Sequence, residues 1–170
     1  MDLSKFIRNI DDWPKKGVIY KDITPLLMNP EAFQASVDYF YNRYKNTNID
    51  KIVAIESRGF IWGATLAYKL SLPLVIARKE GKLPCKTVKE SFSLEYGHST
   101  LEIHEDAIQE NDNILLFDDI LATGGTASAV GCLIESLRAN VLECSFLLEL
   151  TTLKKIDSLK NYKTFSLLNS

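Results

Sequence analysis

The sequence has 170 residues, of which 46% are apolar and 25% are charged, and its formal net charge is −2 with a pI near 5.7. This balance is typical of a single globular domain with a sizeable core, and its weak acidity argues against a protein that binds nucleic acid or anionic membranes through its overall charge. The N-terminal residues lack the pattern of a signal peptide, and no apolar run approaches the roughly 20 residues of a membrane span, so we expect a cytoplasmic protein.

The first long element that the sequence predicts is a helix beginning at Asn29-Pro30. Asn is a favourable N-cap, and Pro is well accepted in the first turn of a helix. Apolar residues then recur at spacings of three and four, as on one face of an amphipathic helix. These residues are Phe33, Val37, Phe40, Tyr41 and Tyr44.

From Lys51 onward, predicted strands and helices alternate. Short apolar runs predict strands over 51–56, 73–78, 113–117 and 141–150, and helical patterns predict helices over 59–70 and 125–138. Such alternation implies parallel strands in a three-layer α/β fold, whose binding sites lie beyond the carboxyl ends of the strands. The stretch from about 81 to 108 breaks the alternation, and a long irregular stretch in a compact domain is typical of a lid or binding loop.

The segment from Asp118 to Thr126 predicts a phosphate-binding turn between a strand and a helix. Backbone N–H groups and the dipole at a helix start favour phosphate, and Gly124 and Gly125 allow a close approach of the backbone. Asp118 and Asp119 are suited to accept hydrogen bonds from ribose hydroxyls. The segment matches neither the phosphate loop of nucleoside triphosphatases nor the dinucleotide fingerprint. An ordinary capped turn with a solvated carboxylate pair is the alternative.

Cationic side chains cluster on two other loops that follow predicted strands. One loop carries Arg58, and the other carries Arg78, Lys79 and Lys82. Because Arg binds phosphate oxygens in a bidentate manner, such a cluster in a weakly acidic protein indicates a polyanion such as pyrophosphate. Ordinary surface charge is the alternative, above all for Lys79 and Lys82.

Five segments, in order along the chain, resemble motifs of the adenine phosphoribosyltransferases, a family of type I phosphoribosyltransferases. They are Trp13-Pro14 with 17–27, Glu56-Ser57-Arg58-Gly59-Phe60, Arg78–Pro84, Leu94–Gly97 with Leu101-Glu102-Ile103, and Asp118–Thr126. The resemblance covers most of the chain, from about Trp13 to Leu150. It implies a single three-layer α/β domain with a central, mainly parallel sheet, a small hood over about 1–30 and a flexible lid loop over about 82–108. It also implies a homodimer.

The resemblance implies transfer of ribose 5-phosphate from phosphoribosyl pyrophosphate to adenine, which gives AMP and pyrophosphate in purine salvage. Its implied phosphoribosyl contacts are Asp118, Asp119, Ala122, Thr123, Gly124, Gly125 and Thr126, and its implied pyrophosphate contacts are Arg58, Arg78, Lys79 and Lys82. Its implied adenine contacts are Ile19, Lys21, Tyr96 and Leu150, and a role in the core is the alternative for Leu150. Lys21 stands where the family usually has Arg. The implied cofactor is Mg²⁺, carried by the pyrophosphate rather than by a dedicated protein site.

Glu95 is the candidate catalytic residue. Adenine loses a ring N–H proton as it attacks the anomeric carbon, and a carboxylate in a closed, partly dry site is suited to accept that proton. The resemblance places Glu95 on the lid, beside Tyr96. A solvated loop glutamate is the alternative, and we interpret the nearby Glu102 as structural.

Two other functions stay open at this point. The first is another base specificity, for hypoxanthine, guanine, xanthine or orotate, which the phosphate turn alone does not exclude. The second is a non-catalytic regulator that senses phosphoribosyl pyrophosphate. The segments 94–97 and 17–27 favour adenine, and a chain of this length has no room for an added nucleic-acid-binding domain.

Overall fold

A computed structural model describes residues 1–94 and 97–170, with residues 93, 94, 97 and 98 described through their backbone. The chain forms two compact units, Met1–Arg43 and Tyr44–Ser170. Among the helices of the described residues, none combines the length and the apolar character that crossing a membrane would require. The predicted division into hood, domain body and lid stays a prediction.

The first unit begins with a 3-10 helix, Leu3–Phe6, and an antiparallel pair of strands, β1 (Arg8–Ile10) and β2 (Tyr20–Asp22). Asp22 joins these strands to the next element, α1 (Thr24–Met28), because its carboxylate accepts hydrogen bonds from the Arg8 guanidinium and from the Thr24 N–H. Neither strand was predicted, since three residues are too few to show a period.

Helix α2 (Pro30–Tyr44) follows, and it ends at the first residue of the second unit. It begins and ends where the apolar spacing predicted. The Asn29 side chain accepts a hydrogen bond from the Ala32 N–H at 2.9 Å, which is the predicted N-cap.

In the described residues, the second unit contains a seven-stranded sheet. Its strands are β3 (Lys51–Ile55), β4 (Leu74–Lys79), β5 (Thr87–Leu94), β6 (Gly97–His104), β7 (Asn113–Leu121), β8 (Asn140–Glu149) and β9 (Thr164–Asn169). They lie in the order β5-β6-β4-β3-β7-β8-β9, and the run from β4 to β9 is parallel throughout. The hairpin β5–β6 is antiparallel and pairs with β4. The predicted α/β fold with a mainly parallel sheet is therefore confirmed.

Helices α3 (Gly59–Leu70) and α4 (Gly125–Ser136) cover opposite faces of this sheet. Val53 and Ile55 join the core cluster that contains Val130 of α4. The intervening Ala54 points the other way, as alternate residues of a strand do. It lies directly under Gly63 of α3, where an added Cβ would come within 2.5 Å of the Ala54 Cβ. The three layers of the predicted architecture are thus present.

Three parts of the second unit differ from the predicted elements. The stretch expected to be irregular forms the hairpin β5–β6, whose residues Val88 and Phe92 pack against the core. Strand β7 continues four residues beyond its predicted end, because β8 goes on pairing with it as far as Leu121. A 3-10 helix, Asp157–Asn161, and strand β9 follow β8 and were not predicted.

Candidate active site

The loops that follow β3, β4 and β7 meet at one edge of the sheet, because parallel strands end at the same edge. A cavity of about 390 Å³ lies between them. Its lining residues come from all three predicted site segments: Glu56, Ser57, Arg58, Lys79, Asp118, Asp119, Ile120, Ala122 and Thr126. The fold thus brings predicted ribose, phosphate and pyrophosphate contacts into one cavity.

The carboxylate pair lies at the end of β7. Asp119 is buried, and its Oδ2 lies 2.7 Å from the Arg58 Nε, while the Asp119 N–H donates to the Asp118 Oδ1 at 2.9 Å. Burial and the neighbouring Asp119 carboxylate raise the pKa of Asp118 well above its usual value. Burial also raises the pKa of Asp119, although the Arg58 guanidinium acts in the opposite direction. Arg58 therefore balances part of the charge that two adjacent carboxylates bring to one place.

A close contact between α3 and β7 positions Arg58. The Glu56–Ser57 peptide is cis, and α3 begins at Gly59 with Arg58 as its N-cap. A Cβ on Gly59 would lie 2.9 Å from the Phe117 carbonyl oxygen and 3.0 Å from the Asp118 Oδ1. Only a residue without a side chain fits here, so the helix start and its arginine lie directly against the carboxylate pair.

The predicted phosphate turn is shorter than the sequence indicated. Both aspartates belong to β7, and residues 122–124 connect the strand to α4. Gly124 is the N-cap of α4 with a φ of +88°, a conformation that favours glycine. The N–H groups in the first turn of an α-helix have no acceptor within the helix, so this turn offers donors and a positive dipole end to an anion. Ala122 and Thr126 line the cavity, and Thr123, Gly124 and Gly125 lie between them in the turn.

Glu56 holds the loop that carries the predicted pyrophosphate contacts. Its carboxylate accepts a hydrogen bond from the Lys79 N–H at 2.9 Å and lies 3.3 Å from the Arg78 Nε. Burial raises the pKa of Glu56, but these partners outweigh burial and leave the pKa below its usual value. Arg78 also donates to the Lys82 carbonyl oxygen at 3.1 Å. In this structure the Arg78 side chain therefore links two loops, while Lys79 lines the cavity.

A second buried carboxylate, that of Glu102 on β6, fixes the far part of this loop. Glu102 is only 2% exposed, and its Oε1 accepts hydrogen bonds from the Lys82 and Leu83 N–H groups at 3.0 Å each. The Thr87 hydroxyl donates to its Oε2 at 3.1 Å. Burial raises the pKa of Glu102, yet these bonds lower it overall. This arrangement agrees with the structural role that we predicted.

The predicted adenine contacts are distributed over both units. Ile19 is exposed and Lys21 donates to the Asn9 side chain at 3.0 Å, all within the first unit. Leu150 belongs to the second unit, is half-buried, and its N–H donates to the Leu121 carbonyl oxygen. Glu95 and Tyr96 lie outside the described residues.

Several residues that shape the site had no predicted role. Glu56, Ser57 and Ile120 line the cavity. Their position in the sequence offered a signal, since Glu56 ends a predicted strand and Ser57 immediately follows it. Among the described residues, no group of three or more His, Cys, Asp or Glu side chains is arranged to hold a metal ion.

Comparisons by sequence and by structure find members of the same family. The model of the phosphoribosyl transferase domain family matches residues 22–167. The adenine phosphoribosyltransferase of Christiangramia forsetii is 51% identical over 168 residues, which cover 99% of this chain and 98% of that relative. The enzyme of the same name from Citrifermentans bemidjiense is 52% identical over 167 residues, with 98% of each chain covered.

Solved structures of similar proteins share the whole fold. The adenine phosphoribosyltransferase of Thermoanaerobacter pseudethanolicus superposes with a TM-score of 0.95 at 43% identity, covering 99% of this chain and 98% of that one. The Saccharomyces cerevisiae adenine phosphoribosyltransferase was solved with adenine and an imino-altritol bisphosphate. It superposes with a TM-score of 0.92 at 40% identity, covering 98% of this chain and 97% of that one.

Proposed function

The chain belongs to the phosphoribosyl transferase domain family, within it to the adenine phosphoribosyltransferases, and from this premise we propose how its residues carry out the reaction. The chain transfers the ribose 5-phosphate unit of phosphoribosyl pyrophosphate to adenine, giving AMP and pyrophosphate in purine salvage. The observation that carries this function is the cavity in which Arg58, the Asp118–Asp119 pair and the turn before α4 lie together. It combines groups suited to a sugar, a phosphate and a second polyanion.

The phosphoribosyl group binds to β7 and the turn after it. Asp118 and Asp119 accept hydrogen bonds from the two ribose hydroxyls, which are donors of the kind that carboxylates bind. The backbone N–H groups from Ala122 to Thr126, with the two threonine hydroxyls, hold the 5-phosphate at the start of α4. The position of Ala122 and Thr126 on the cavity wall supports this assignment.

The pyrophosphate binds to the cationic loops. Arg58 and Lys79 line the same cavity, and Arg78 and Lys82 belong to the loop that Glu56 and Glu102 hold in place. As the bond between the anomeric carbon and the pyrophosphate oxygen breaks, negative charge grows on the leaving group. Fixed cations stabilise that charge in a site from which water is excluded.

Adenine binds with its ring nitrogen facing the anomeric carbon, and contacts come from Ile19, Lys21, Tyr96 and Leu150. The new bond joins that nitrogen to the carbon, and Glu95 accepts the ring N–H proton. The resemblance of segment 94–97 to the family motif supports the role of Glu95. Holding both reactants in line removes much of the entropic barrier to their reaction.

Mg²⁺ supplies charge neutralisation when it is bound to the pyrophosphate. The oxygen donors of Asp118 and Asp119 are of the type that Mg²⁺ prefers, but Asp119 already pairs with Arg58 at 2.7 Å. These residues fit an ion that takes most of its ligands from phosphate and water.

The deciding experiment supplies phosphoribosyl pyrophosphate, Mg²⁺ and one base at a time, and measures the release of pyrophosphate. Adenine should give the fastest turnover. Faster turnover with hypoxanthine, guanine, xanthine or orotate would show a different base specificity. Tight binding of phosphoribosyl pyrophosphate with no turnover on any base would instead show a non-catalytic sensor.

We also propose that the enzyme is a homodimer located in the cytoplasm. Tyr68 of α3 is 87% exposed and Leu74 at the start of β4 is 39% exposed, which leaves apolar surface for a second copy of the chain. Light scattering should give a mass of two chains, and a monomer at micromolar concentration would contradict the dimer.

A polyanionic substrate does not cross membranes unaided, so the enzyme belongs in the compartment that holds it. Cell fractionation tests this location.

A further inference from the structure

The segment that follows β8, residues 150–162, fastens the phosphate turn, although the reaction proposed above gives this segment no part beyond Leu150. The Leu150 N–H donates to the Leu121 carbonyl oxygen at 2.9 Å, and the Ile156 N–H donates to the Thr123 carbonyl oxygen at 2.9 Å. These two bonds hold the chain on either side of Ala122. The connection from β7 to α4 is therefore bound to a part of the chain about 30 residues further on.

A side chain from the same segment packs on Gly124. Leu159 is 5% exposed, and a Cβ built on Gly124 would lie 2.5 Å from the Leu159 Cδ2. The leucine therefore packs directly against the glycine backbone at the N-cap of α4. The hydroxyls of Ser128 and Ser158 add a hydrogen bond of 2.8 Å between the first turn of α4 and the same segment.

We propose that Leu159 is a positioning residue for the 5-phosphate. By packing on Gly124, it holds this residue at its φ of +88° and keeps the N–H groups at the start of α4 directed at one point. Dispersion attraction weakens strongly when two atoms move apart by a fraction of an ångström. A void at position 159 would therefore let the turn shift relative to the phosphate. The inference rests on the proposed function, because that function places the 5-phosphate at this turn.

The test compares the affinities of AMP and adenosine, which differ only in the 5-phosphate, by titration calorimetry. In Leu159→Ala, AMP affinity should fall about tenfold, as a displaced donor set would cause, while adenosine affinity should change by less than about twofold. Leu159→Met keeps nearly the same volume and should retain the wild-type ratio of the two affinities. A purely structural role would lower both affinities together and leave their ratio unchanged.

Leu115→Ala is the matched control. Leu115 is fully buried on β7, and it lies six residues before Leu121, about 20 Å away along the strand. The same atoms are lost from the interior, but the ratio of AMP to adenosine affinity should stay at the wild-type value. An equal change of the ratio in both variants would overturn the proposal.

Leu159→Val keeps the proposal testable if Leu159→Ala does not fold. The smaller change removes one methylene from the side chain that contacts Gly124 and leaves most of the packing in place. AMP affinity should fall about two- to fivefold without a fall in adenosine affinity, and an unchanged AMP affinity would overturn the proposal. A wild-type enzyme that binds AMP no more tightly than adenosine would contradict the proposed function itself. If the wild type binds AMP more tightly than adenosine and Leu159→Ala keeps the same ratio of the two affinities, this result would contradict this inference alone.

Discussion

Asp118 and Asp119 bring two carboxylates to adjacent positions at the end of β7, and this arrangement has consequences for stability. Burial and Asp119 raise the pKa of Asp118 above that of the unfolded chain. The folded protein therefore binds the Asp118 proton more tightly than the unfolded chain does. The stabilising contribution of the Asp118 carboxyl is fully present when the pH is below the ordinary pKa of aspartate. It is lost as the pH rises through the raised pKa of Asp118 in the folded protein. Above that raised value, the charge on Asp118 lowers the stability of the protein without substrate, because burial and the Asp119 carboxylate both oppose it.

Asp118→Asn should raise the melting temperature and lower the activity. At pH 7 we expect a rise of about 2–4 °C, the shift that about 1 kcal/mol produces in a chain of this size. The amide removes a charge and can still accept the Asp119 N–H bond at this position. Turnover should fall because the ribose loses a charged acceptor. Differential scanning fluorimetry at pH 7 and pH 4 checks the sign, since the gain should shrink in acid. A gain of equal size at both pH values would contradict this electrostatic explanation.

Glu95→Gln tests the proton acceptor. Gln keeps the shape of the side chain but does not take up the adenine proton, so the turnover number should fall by at least about 100-fold. The affinity for phosphoribosyl pyrophosphate should change little, because the proposed contacts of this substrate lie elsewhere. Steady-state kinetics with adenine and equilibrium binding of the pyrophosphate substrate measure the two quantities separately.

Glu90→Gln is the matched control for this variant, because Glu90, on β5, is another glutamate within the predicted lid segment 82–108. Its turnover number should stay close to that of the wild type. Lost substrate binding with unchanged turnover in Glu95→Gln would indicate that Glu95 shapes the lid rather than accepting the proton.

At the scale of elements, buried carboxylates hold the cationic loop after β4. Glu102 is the clearest case, since it is buried and accepts three hydrogen bonds from the residues around Lys82. Its lowered pKa means that it contributes stability above the ordinary pKa of glutamate. That contribution is lost as the pH falls through the lowered value. The geometry of the loop after β4 thus depends on a carboxylate that belongs to another strand.

Glu102→Ala should therefore loosen this loop. Removing the acceptor of the Lys82 and Leu83 N–H groups should lower the free energy of unfolding by about 1–3 kcal/mol. It should also raise the KM for phosphoribosyl pyrophosphate through the displaced Lys82. Urea denaturation and kinetics measure the two effects. Glu102→Gln is the graded control, because its amide oxygen can still accept the N–H bonds of Lys82 and Leu83. An unchanged KM in the alanine variant would contradict the link to the pyrophosphate loop.

Elements with a strong local pattern were the ones that the sequence predicted well. Helices α2 and α3 begin and end as predicted, because caps and apolar spacing are local properties. The hairpin β5–β6 was missed because charged residues interrupt the alternation of Val88 and Phe92. Strand β9 follows an irregular segment and is stabilised by pairing with β8, a contact that no local pattern reveals. The same reason explains why the contact of Leu159 with Gly124 could not be predicted.

At the scale of the whole molecule, a weakly acidic chain gathers cationic side chains at one cavity. The net charge is −2, yet Arg58 and Lys79 line one cavity. The order of five motifs was enough to predict the fold family and the reaction, and three of these motifs lie where β3, β4 and β7 end, at one edge of the sheet. The adenine contacts depend on residues far apart in sequence, and their assignment still rests on the resemblance.

The melting temperature of the protein should show whether Mg²⁺ binds together with phosphoribosyl pyrophosphate. A ligand at 100 times its Kd adds about 2.7 kcal/mol to the stability of the native state, which raises the melting temperature by roughly 5–10 °C in a chain of this size. Mg²⁺ with phosphoribosyl pyrophosphate should give this shift, and adding EDTA should reduce it. Mg²⁺ alone should give none, because the described residues contain no cluster suited to a metal ion.

AMP is the control for this melting experiment, because it carries the 5-phosphate but no pyrophosphate. Its shift should be the same with Mg²⁺ and with EDTA, since the turn before α4 binds a phosphate through N–H groups and needs no metal. A shift with Mg²⁺ alone would show a metal site belonging to the protein, and Asp118 would be the first candidate ligand. If Asp118→Asn then abolished that shift, the carboxylate pair would serve the metal as well as the ribose.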